Sequence, residues 1–142
     1  MPSDRRQSRI LAMQALCQWE VQRDESDEAL CDFLHTFAEA PGPVSYALNL
    51  VRGYLAGRDA IDGRITAAAD RWEFARIAAV ERNVMRVAVA ELLGGDVPPR
   101  VAISEAIDIG REYGGAESPG FINGVLDSVL QSLADRPKAE EP

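Results

Sequence analysis

The sequence predicts an all-α protein. Apolar residues recur with the 3.6-residue period of a helix through most of the chain, and no segment alternates apolar and polar residues as a half-buried strand does. Glycine and proline fall between the periodic segments, where they end helices. At 142 residues, the chain fits one domain with a core of its own. We expect about seven helices packed as a compact bundle in residues 1–135, and a frayed tail over 136–142.

The first half of the chain contains four predicted helices. The first begins near Asp4, a candidate N-cap, with Gln7 three residues later as in a capping box. The second covers residues 27–40, which carry apolar side chains at helical spacing, and the Pro-Gly-Pro run at 41–43 ends it. The third begins just after that run, and Gly57 predicts a break between it and the fourth.

The second half predicts three more helices. One covers residues 80–93 and ends at a glycine pair. The next begins at the proline pair 98–99, since proline suits the first turn of a helix, and runs to Tyr113. The dipeptide Ser118-Pro119 predicts an N-cap and first position for the last helix, which continues to Leu133.

The overall charge argues against a general polyanion-binding protein. The formal net charge is -8 and the isoelectric point is near 4.6, whereas proteins that neutralise many phosphates carry a basic surface. The charge is unevenly distributed, however. Residues 24–39 carry six acidic residues and no lysine or arginine, and 101–128 are also acidic, whereas residues 1–23 carry a net positive charge.

Three arginines, Arg5, Arg6 and Arg9, lie in the first turns of the first predicted helix. The positive end of the helix dipole repels cations, so these residues are poorly placed for helix stability. An anionic ligand would reverse that argument, because free backbone N–H groups and guanidinium groups would both bind it. The alternative is a solvated basic terminus that only aids solubility.

No catalytic or metal-binding constellation is present in the sequence. His35 is the only histidine, and Lys138, the only lysine, stands in no phosphate-binding loop motif. Cys17 and Cys31 are far apart and are expected to be reduced thiols. We therefore expect no enzymatic activity, metal or cofactor. The absence of an apolar segment near 18 residues predicts a cytoplasmic protein.

Glu91 is predicted to need an internal partner. It falls on or beside the apolar stripe of the helix over 80–93, where an unpaired carboxylate would be costly to bury. Arg86 and Arg76 are the candidate partners, and we expect an ion pair that orients neighbouring helices.

Three ordered sequence blocks resemble the NusB family of bacterial transcription antitermination factors. The match covers most of the chain, and residues 24–60 contribute little to it. The blocks are Asp4–Arg9 with Ala12–Leu16 and Trp19-Glu20; Trp72 with Val80–Arg86, Ala88 and Glu91-Leu92; and Asp96–Pro98 with Val101–Ala106, Tyr113-Gly114 and Phe121–Asp127.

The resemblance implies an all-helical fold of two small subdomains, about 1–75 and 76–135. It also implies a non-enzymatic role in the transcription elongation complex. In that role the protein binds the boxA element of ribosomal RNA leaders together with the ribosomal protein NusE. Isolated RNA affinity is expected to be weak, because Cys17, Ala90 and Gly120 replace tyrosine, aromatic and basic residues that are common in the family.

The resemblance also implies which residues bind. The arginine-rich start of the chain and the first turn of the last helix contact RNA in this family. In that turn Phe121 stacks on a base or packs at the edge of the core, and Gly124 allows a close helix approach. The implied RNA-binding residues are Arg5, Arg6, Arg9, Ser118, Phe121 and Asn123, and the candidate partner-binding residues are Glu81, Arg82 and Arg86.

Two other interpretations remain open. One is an acidic helical protein-interaction module that does not bind RNA by itself. The other is the RNA-recognition domain of a ribosomal RNA methyltransferase, which the absence of a following catalytic domain disfavours. A homodimer is also left open.

Overall fold

A computed structural model describes residues 4–134, and all their regular structure is helical. This confirms the predicted all-α class and the predicted number of helices. Seven α-helices and one 3-10 turn follow one another within these residues. They are α1 (Asp4–Gln22), α2 (Asp27–Phe37), α3 (Val44–Ala56), α4 (Arg58–Ala68), the 3-10 turn (Phe74–Arg76), α5 (Ala79–Gly94), α6 (Pro99–Tyr113) and α7 (Ser118–Ala134).

Most helix ends lie where glycine and proline predict them. Gly57 separates α3 from α4, and Pro99 is the first residue of α6. Gly95 follows α5 with a φ of 78°, a left-handed conformation that glycine adopts without a steric penalty. The predicted N-cap at Asp4 is not observed, because Asp4 already belongs to α1.

The second helix is shorter than the predicted range 27–40. It begins after Ser26, whose hydroxyl accepts a hydrogen bond from the backbone N–H of Ala29 at 3.1 Å. It ends at Phe37 because Ala38 already has an extended backbone. Its acidic first turn lies at the positive end of the helix dipole, where carboxylates stabilise a helix.

The core is organised around α5, which packs against α1, α3, α4, α6 and α7. One continuous cluster of buried apolar side chains includes residues from all seven helices. The division into subdomains 1–75 and 76–135 stays a prediction, and the tail over 136–142 lies outside the described residues. Cys17 and Cys31 are free and half-buried. Within residues 4–134, every helix is too short or too polar to cross a bilayer.

The close approach of α6 and α7 depends on Gly110 rather than on Gly124. A methyl group at Gly110 would overlap the Cδ1 atom of the buried Ile122, whereas one at Gly124 would meet nothing within 4 Å. The expectation that Gly124 allows helix contact is therefore wrong, because Gly124 lies on the exposed face of α7.

These two glycines give a matched pair for a stability test. Gly124→Ala should raise the free energy of unfolding by roughly 0.5–1 kcal/mol, because alanine favours the helix and meets open space. Gly110→Ala should lower it by about 1–3 kcal/mol, because the added methyl overpacks the α6–α7 contact. Urea unfolding followed by circular dichroism checks both values. Equal effects at the two sites would contradict the assigned contact.

Candidate functional site

Arg9 forms a buried ion pair with Glu91. The Nε atom of Arg9 donates to Oε1 of Glu91 at 2.8 Å, and Nη2 donates to Oε2 at 3.0 Å. Only 6% of the Arg9 side chain and 1% of the Glu91 side chain are exposed. The predicted internal ion pair of Glu91 thus exists, but with Arg9 rather than with Arg86 or Arg76. Burial gives Arg9 a structural role and removes it from the exposed cations that reach an external ligand.

The pair is extended on both sides by further polar groups. Nη1 of Arg9 donates to Oε1 of Glu105 on α6 at 3.0 Å. The hydroxyl of Tyr46, on α3, donates to Oε2 of Glu91. Burial and this hydrogen bond both raise the pKa of Tyr46. The network therefore connects α1, α3, α5 and α6 through paired polar atoms.

Arg6 is held by two carboxylates of α6. Its Nε atom lies 2.8 Å from Oε1 of Glu105, and its Nη2 atom lies 3.0 Å from Oδ2 of Asp108. The hydrogen bond from Arg6 lowers the pKa of Glu105. With 24% of its side chain exposed, Arg6 reaches the surface but its charge is largely neutralised. Asp108 also accepts from Arg111, so the α6 surface next to α1 alternates in charge.

Arg5 is the exposed member of the three predicted arginines. Its guanidinium group lies over the ring of Tyr46, 3.7 Å from the ring centroid. A cation–π contact at an exposed site contributes about 0.5–1 kcal/mol, and it leaves the N–H groups at the guanidinium edge able to bind an anion. The structure therefore separates the predicted cluster into one exposed, one half-buried and one buried arginine.

The start of α7 presents two of its three predicted residues. Asn123 is exposed and Phe121 is half-buried at the edge of the core. Ser118 is 2% exposed, and its hydroxyl accepts a hydrogen bond from the backbone N–H of Gly115 at 3.0 Å. Ser118 is thus the first residue of α7 and stabilises the α6–α7 turn, whereas it was predicted to contact RNA. Its burial assigns it a structural role.

Phe121 contacts Trp72, which belongs to the second of the family blocks and was not predicted as a site residue. The two ring centroids are 5.6 Å apart, and the rings meet edge to face at 75°. Trp72 is 57% exposed. The sequence does contain a signal that Trp72 is exposed. It is a large aromatic residue outside any apolar stripe, with charged neighbours at positions 71 and 73. The contact brings the α4–α5 connection and the start of α7 together.

An open groove of about 480 Å³ runs beside these two rings, and we call it the Trp72 groove. Its lining includes aromatic, charged and backbone groups. They are Trp72, Arg76, Ile77, Ala78, Glu81, the segment 115–117, Ser118 and Phe121.

A second groove, of about 650 Å³, lies between α1, α2, the start of α5 and the C-terminal end of α6. We call it the Phe37 groove. Its apolar side chains are unusually exposed: Val21 is 81%, Phe37 is 59% and Tyr113 is 41% exposed. Partial burial and the nearby carboxylates of Glu112 and Glu39 raise the pKa of Tyr113. The groove therefore exposes apolar side chains among polar ones such as Gln14 and Gln18, and two carboxylates lie near Tyr113 at its edge.

Two of the three predicted partner-binding residues, Arg82 and Arg86, bind carboxylates within the fold. Arg86 is 5% exposed and binds Asp62 and Glu20, with Nε–Oδ1 and Nη1–Oε2 distances of 2.9 and 2.8 Å. Arg82 binds Glu20 through Nε at 2.7 Å and also donates to a backbone carbonyl. Both arginines take part in an internal ion-pair network, Arg86 buried and Arg82 half-buried, and their contact with a partner stays a prediction. Glu81 is half-buried and lines the Trp72 groove.

Glu20 is the acceptor at the centre of this second network. Burial by itself would raise its pKa, but hydrogen bonds from Arg82 and Asn83 and the charges of Arg82 and Arg86 lower the pKa to about 2. The folded state therefore holds Glu20 ionised at pH values where an unfolded glutamate, with a pKa of 4.5, is protonated.

This lowered pKa predicts how stability changes with pH. The contribution of Glu20 to the free energy of unfolding is present above about pH 4.5 and is lost as the pH falls towards 2. Between those values, the wild-type protein should lose at least about 1 kcal/mol more than Glu20→Gln, after allowance for solvent screening. Urea titrations at several pH values measure the difference. Parallel pH profiles for the two proteins would show that Glu20 is not the group responsible.

Comparison with known proteins identifies the family of this chain. Residues 6–131 match the model of the NusB family. The transcription antitermination protein NusB of Anaeromyxobacter dehalogenans is 43% identical over 141 residues, which are 99% of each chain. The NusB protein of Geotalea uraniireducens is 37% identical, over 94% of this chain and 99% of its own.

Solved structures have the same fold. NusB of T. maritima is 34% identical and aligns with a TM-score of 0.80, over 98% of this chain and 97% of its own. A complex of the antitermination factors NusB and NusE with double-stranded RNA aligns with a TM-score of 0.79, over 93% of this chain and 99% of the matched one. Its identity of 24% shows the shared fold alone. Together with the full-length relatives, the match over residues 6–131 places this chain in the NusB family.

Proposed function

We propose that this chain is a transcription antitermination factor that binds boxA RNA of ribosomal RNA leaders together with NusE. The observation that carries the proposal is the near full-length similarity to relatives named transcription antitermination protein NusB. The proposed role is one of binding, without catalysis or a cofactor, in the elongation complex. A factor that acts on nascent bacterial RNA works in the cytoplasm, and we propose that location for this chain.

The proposed RNA surface consists of the start of α1 and the start of α7. Arg5 is exposed and offers guanidinium N–H groups to a phosphate, while Arg6 is half-buried and shares its charge with Glu105 and Asp108. Phe121 and Asn123 lie at the start of α7, where a half-exposed ring and an exposed amide suit an unpaired base. Arg9 and Ser118 support this surface from inside the fold.

This arrangement supports a weak affinity of the isolated chain for RNA. Each arginine that is already paired with a carboxylate releases less free energy when it meets a phosphate, because the existing ion pair must first be broken. The net charge of -8 adds a general repulsion of polyanions. We therefore propose that NusE supplies much of the positive charge in the RNA-binding complex.

The Phe37 groove is the surface that we propose for NusE. Exposed apolar side chains of Val21 and Phe37 offer area for burial, and the acidic residues of α2 complement a basic ribosomal protein. Val80 lines this groove and Glu81 lines the neighbouring Trp72 groove, so a partner seated on the Phe37 groove lies close to the candidate residue Glu81. These features also support the alternative of an acidic interaction module without independent RNA binding.

A charge reversal at Arg5 tests the RNA surface. Arg5→Glu should lower the affinity of the chain–NusE complex for boxA RNA about tenfold at low salt, because it removes a charged hydrogen-bond donor and adds repulsion. Arg52→Glu is the matched control. Arg52 is an exposed arginine on α3 that pairs with Asp27 at 2.9 Å. The same charge change therefore falls outside the proposed RNA surface and about 15 Å along α2 from Phe37. Filter-binding titrations measure both affinities.

Two outcomes would contradict the proposal. If Arg5→Glu and Arg52→Glu weaken binding equally, the effect is general electrostatics and the surface is misplaced. If neither the chain nor its complex with NusE binds boxA RNA, the interaction module is the better description. Replacing Arg9 is not a useful test, because breaking a buried ion pair destabilises a fold by about 3–5 kcal/mol.

A further inference from the structure

We propose that the Trp72 groove is a binding site for a single unstacked RNA base, with Trp72 as its stacking surface. The inference deepens the proposed function, on which it rests, by assigning a base-contacting role to a residue outside the predicted surface. The juxtaposition that supports it is the edge-to-face contact of Trp72 and Phe121 at the wall of an open groove.

The exposure of Trp72 is the first argument. A tryptophan normally buries most of its side chain, and the only other tryptophan of this chain, Trp19, is 3% exposed. Trp72 is 57% exposed in a turn, so much of its indole surface does not contribute to the core. An exposed indole is a stacking surface for any nucleobase.

The Trp72 ring already has contacts that orient it in the free protein. The backbone N–H of Trp72 donates to the carbonyl of Ala69 at 3.0 Å, which closes the turn after α4. The indole ring of Trp72 contacts the ring of Phe121 edge to face, and Phe121 itself packs against the core. A base that stacks on this ring therefore orders little of the protein, which favours binding.

The charges around the groove favour a base over a phosphate as its occupant. The carboxylates of Glu81 and Glu117 belong to the lining and would repel a phosphate inside it. Arg76 also lines the groove, and its side chain is 80% exposed. Its ion pair with Glu73, 3.3 Å long and almost fully in solvent, is of the kind that contributes little and is readily exchanged. An uncharged base thus fits inside the groove, with its phosphate outside near Arg76.

Fluorescence of Trp72 gives a direct readout. A single-stranded boxA RNA of about 12 nucleotides is titrated into the full chain, with and without NusE, at about 50 mM salt. Stacking should quench the emission of the exposed Trp72 and leave that of the buried Trp19. Trp72→Phe should keep binding but lose the quenching, because phenylalanine retains a stacking face and Trp19 becomes the only tryptophan.

Affinity measurements separate stacking from charge. Trp72→Ala should weaken binding about 5- to 150-fold, the usual effect of removing one stacked aromatic, without changing the slope of log K against log salt. Arg76→Gln should instead reduce that slope by about 0.7, the value for one phosphate on a single strand. Leu93→Ala is the control, because Leu93 is 43% exposed on α5 but lies about 18 Å along the helix from Glu81.

The outcomes distinguish this inference from the proposed function. If wild-type chain and complex bind RNA but Trp72→Ala binds equally well and no quenching occurs, the base site is refuted and the proposed function stands. If Trp72→Ala weakens binding no more than Leu93→Ala does, the effect is not stacking and the inference also fails. If wild-type protein binds no RNA in either form, the proposed function fails and the base site fails with it.

Discussion

The buried ion pair of Arg9 and Glu91 is the constraint on which the arrangement of the helices depends. Two charges that are 6% and 1% exposed lose nearly all of their hydration, and only well-formed hydrogen bonds offset that cost. Nε and Nη2 of Arg9 both donate to Glu91, and Nη1 donates to Glu105. The hydroxyl of Tyr46 donates a further hydrogen bond to Glu91. Because the four residues come from four helices, a shift of any one helix would break at least one hydrogen bond to a buried charge. Apolar packing alone would not impose such a strict geometry.

A second arginine network repeats this principle on the other side of α5. Arg86 is buried between the carboxylates of Glu20 and Asp62, and its guanidinium carbon lies within 6 Å of three aromatic ring centroids. The planar guanidinium suits this site, since it pairs with carboxylates at its edge and stacks on rings with its faces. Those rings belong to Trp19, Tyr54 and Phe74. The arginine-rich composition of the chain therefore has a structural component that is independent of any ligand.

The helices could be predicted from the sequence, whereas the roles of the arginines could not. Gly57 and Pro99 mark helix ends through local backbone preferences, which need no knowledge of the rest of the fold. The burial of Arg9 depends on Glu91, which lies 82 positions away. A signal did exist: Arg9, Met13 and Leu16 are spaced as one helix face, and all three are buried. Arg9 was grouped with Arg5 and Arg6 because all three lie near the basic start of the chain. Its position on the helix, however, places its side chain in the core. Trp72 was missed as a site residue for a related reason, because its contact with Phe121 is made between distant segments.

The internal networks also explain how an acidic protein can serve a nucleic-acid complex. The four arginines of the two networks, Arg6, Arg9, Arg82 and Arg86, are each paired with at least one carboxylate. The networks therefore remove arginines and acids from the surface together and leave the acidic excess of α2 in place. Among the described residues, exposed positive and negative charges consequently lie on different parts of the surface. The Arg5 end of α1 presents an exposed cation, while two carboxylates lie near Tyr113 at the edge of the Phe37 groove. Such a division favours two different partners of opposite charge, an RNA and a basic protein, on separate faces. Under the function proposed above, the acidity would limit the affinity of the chain alone for RNA and would at the same time attract the basic protein that compensates for it.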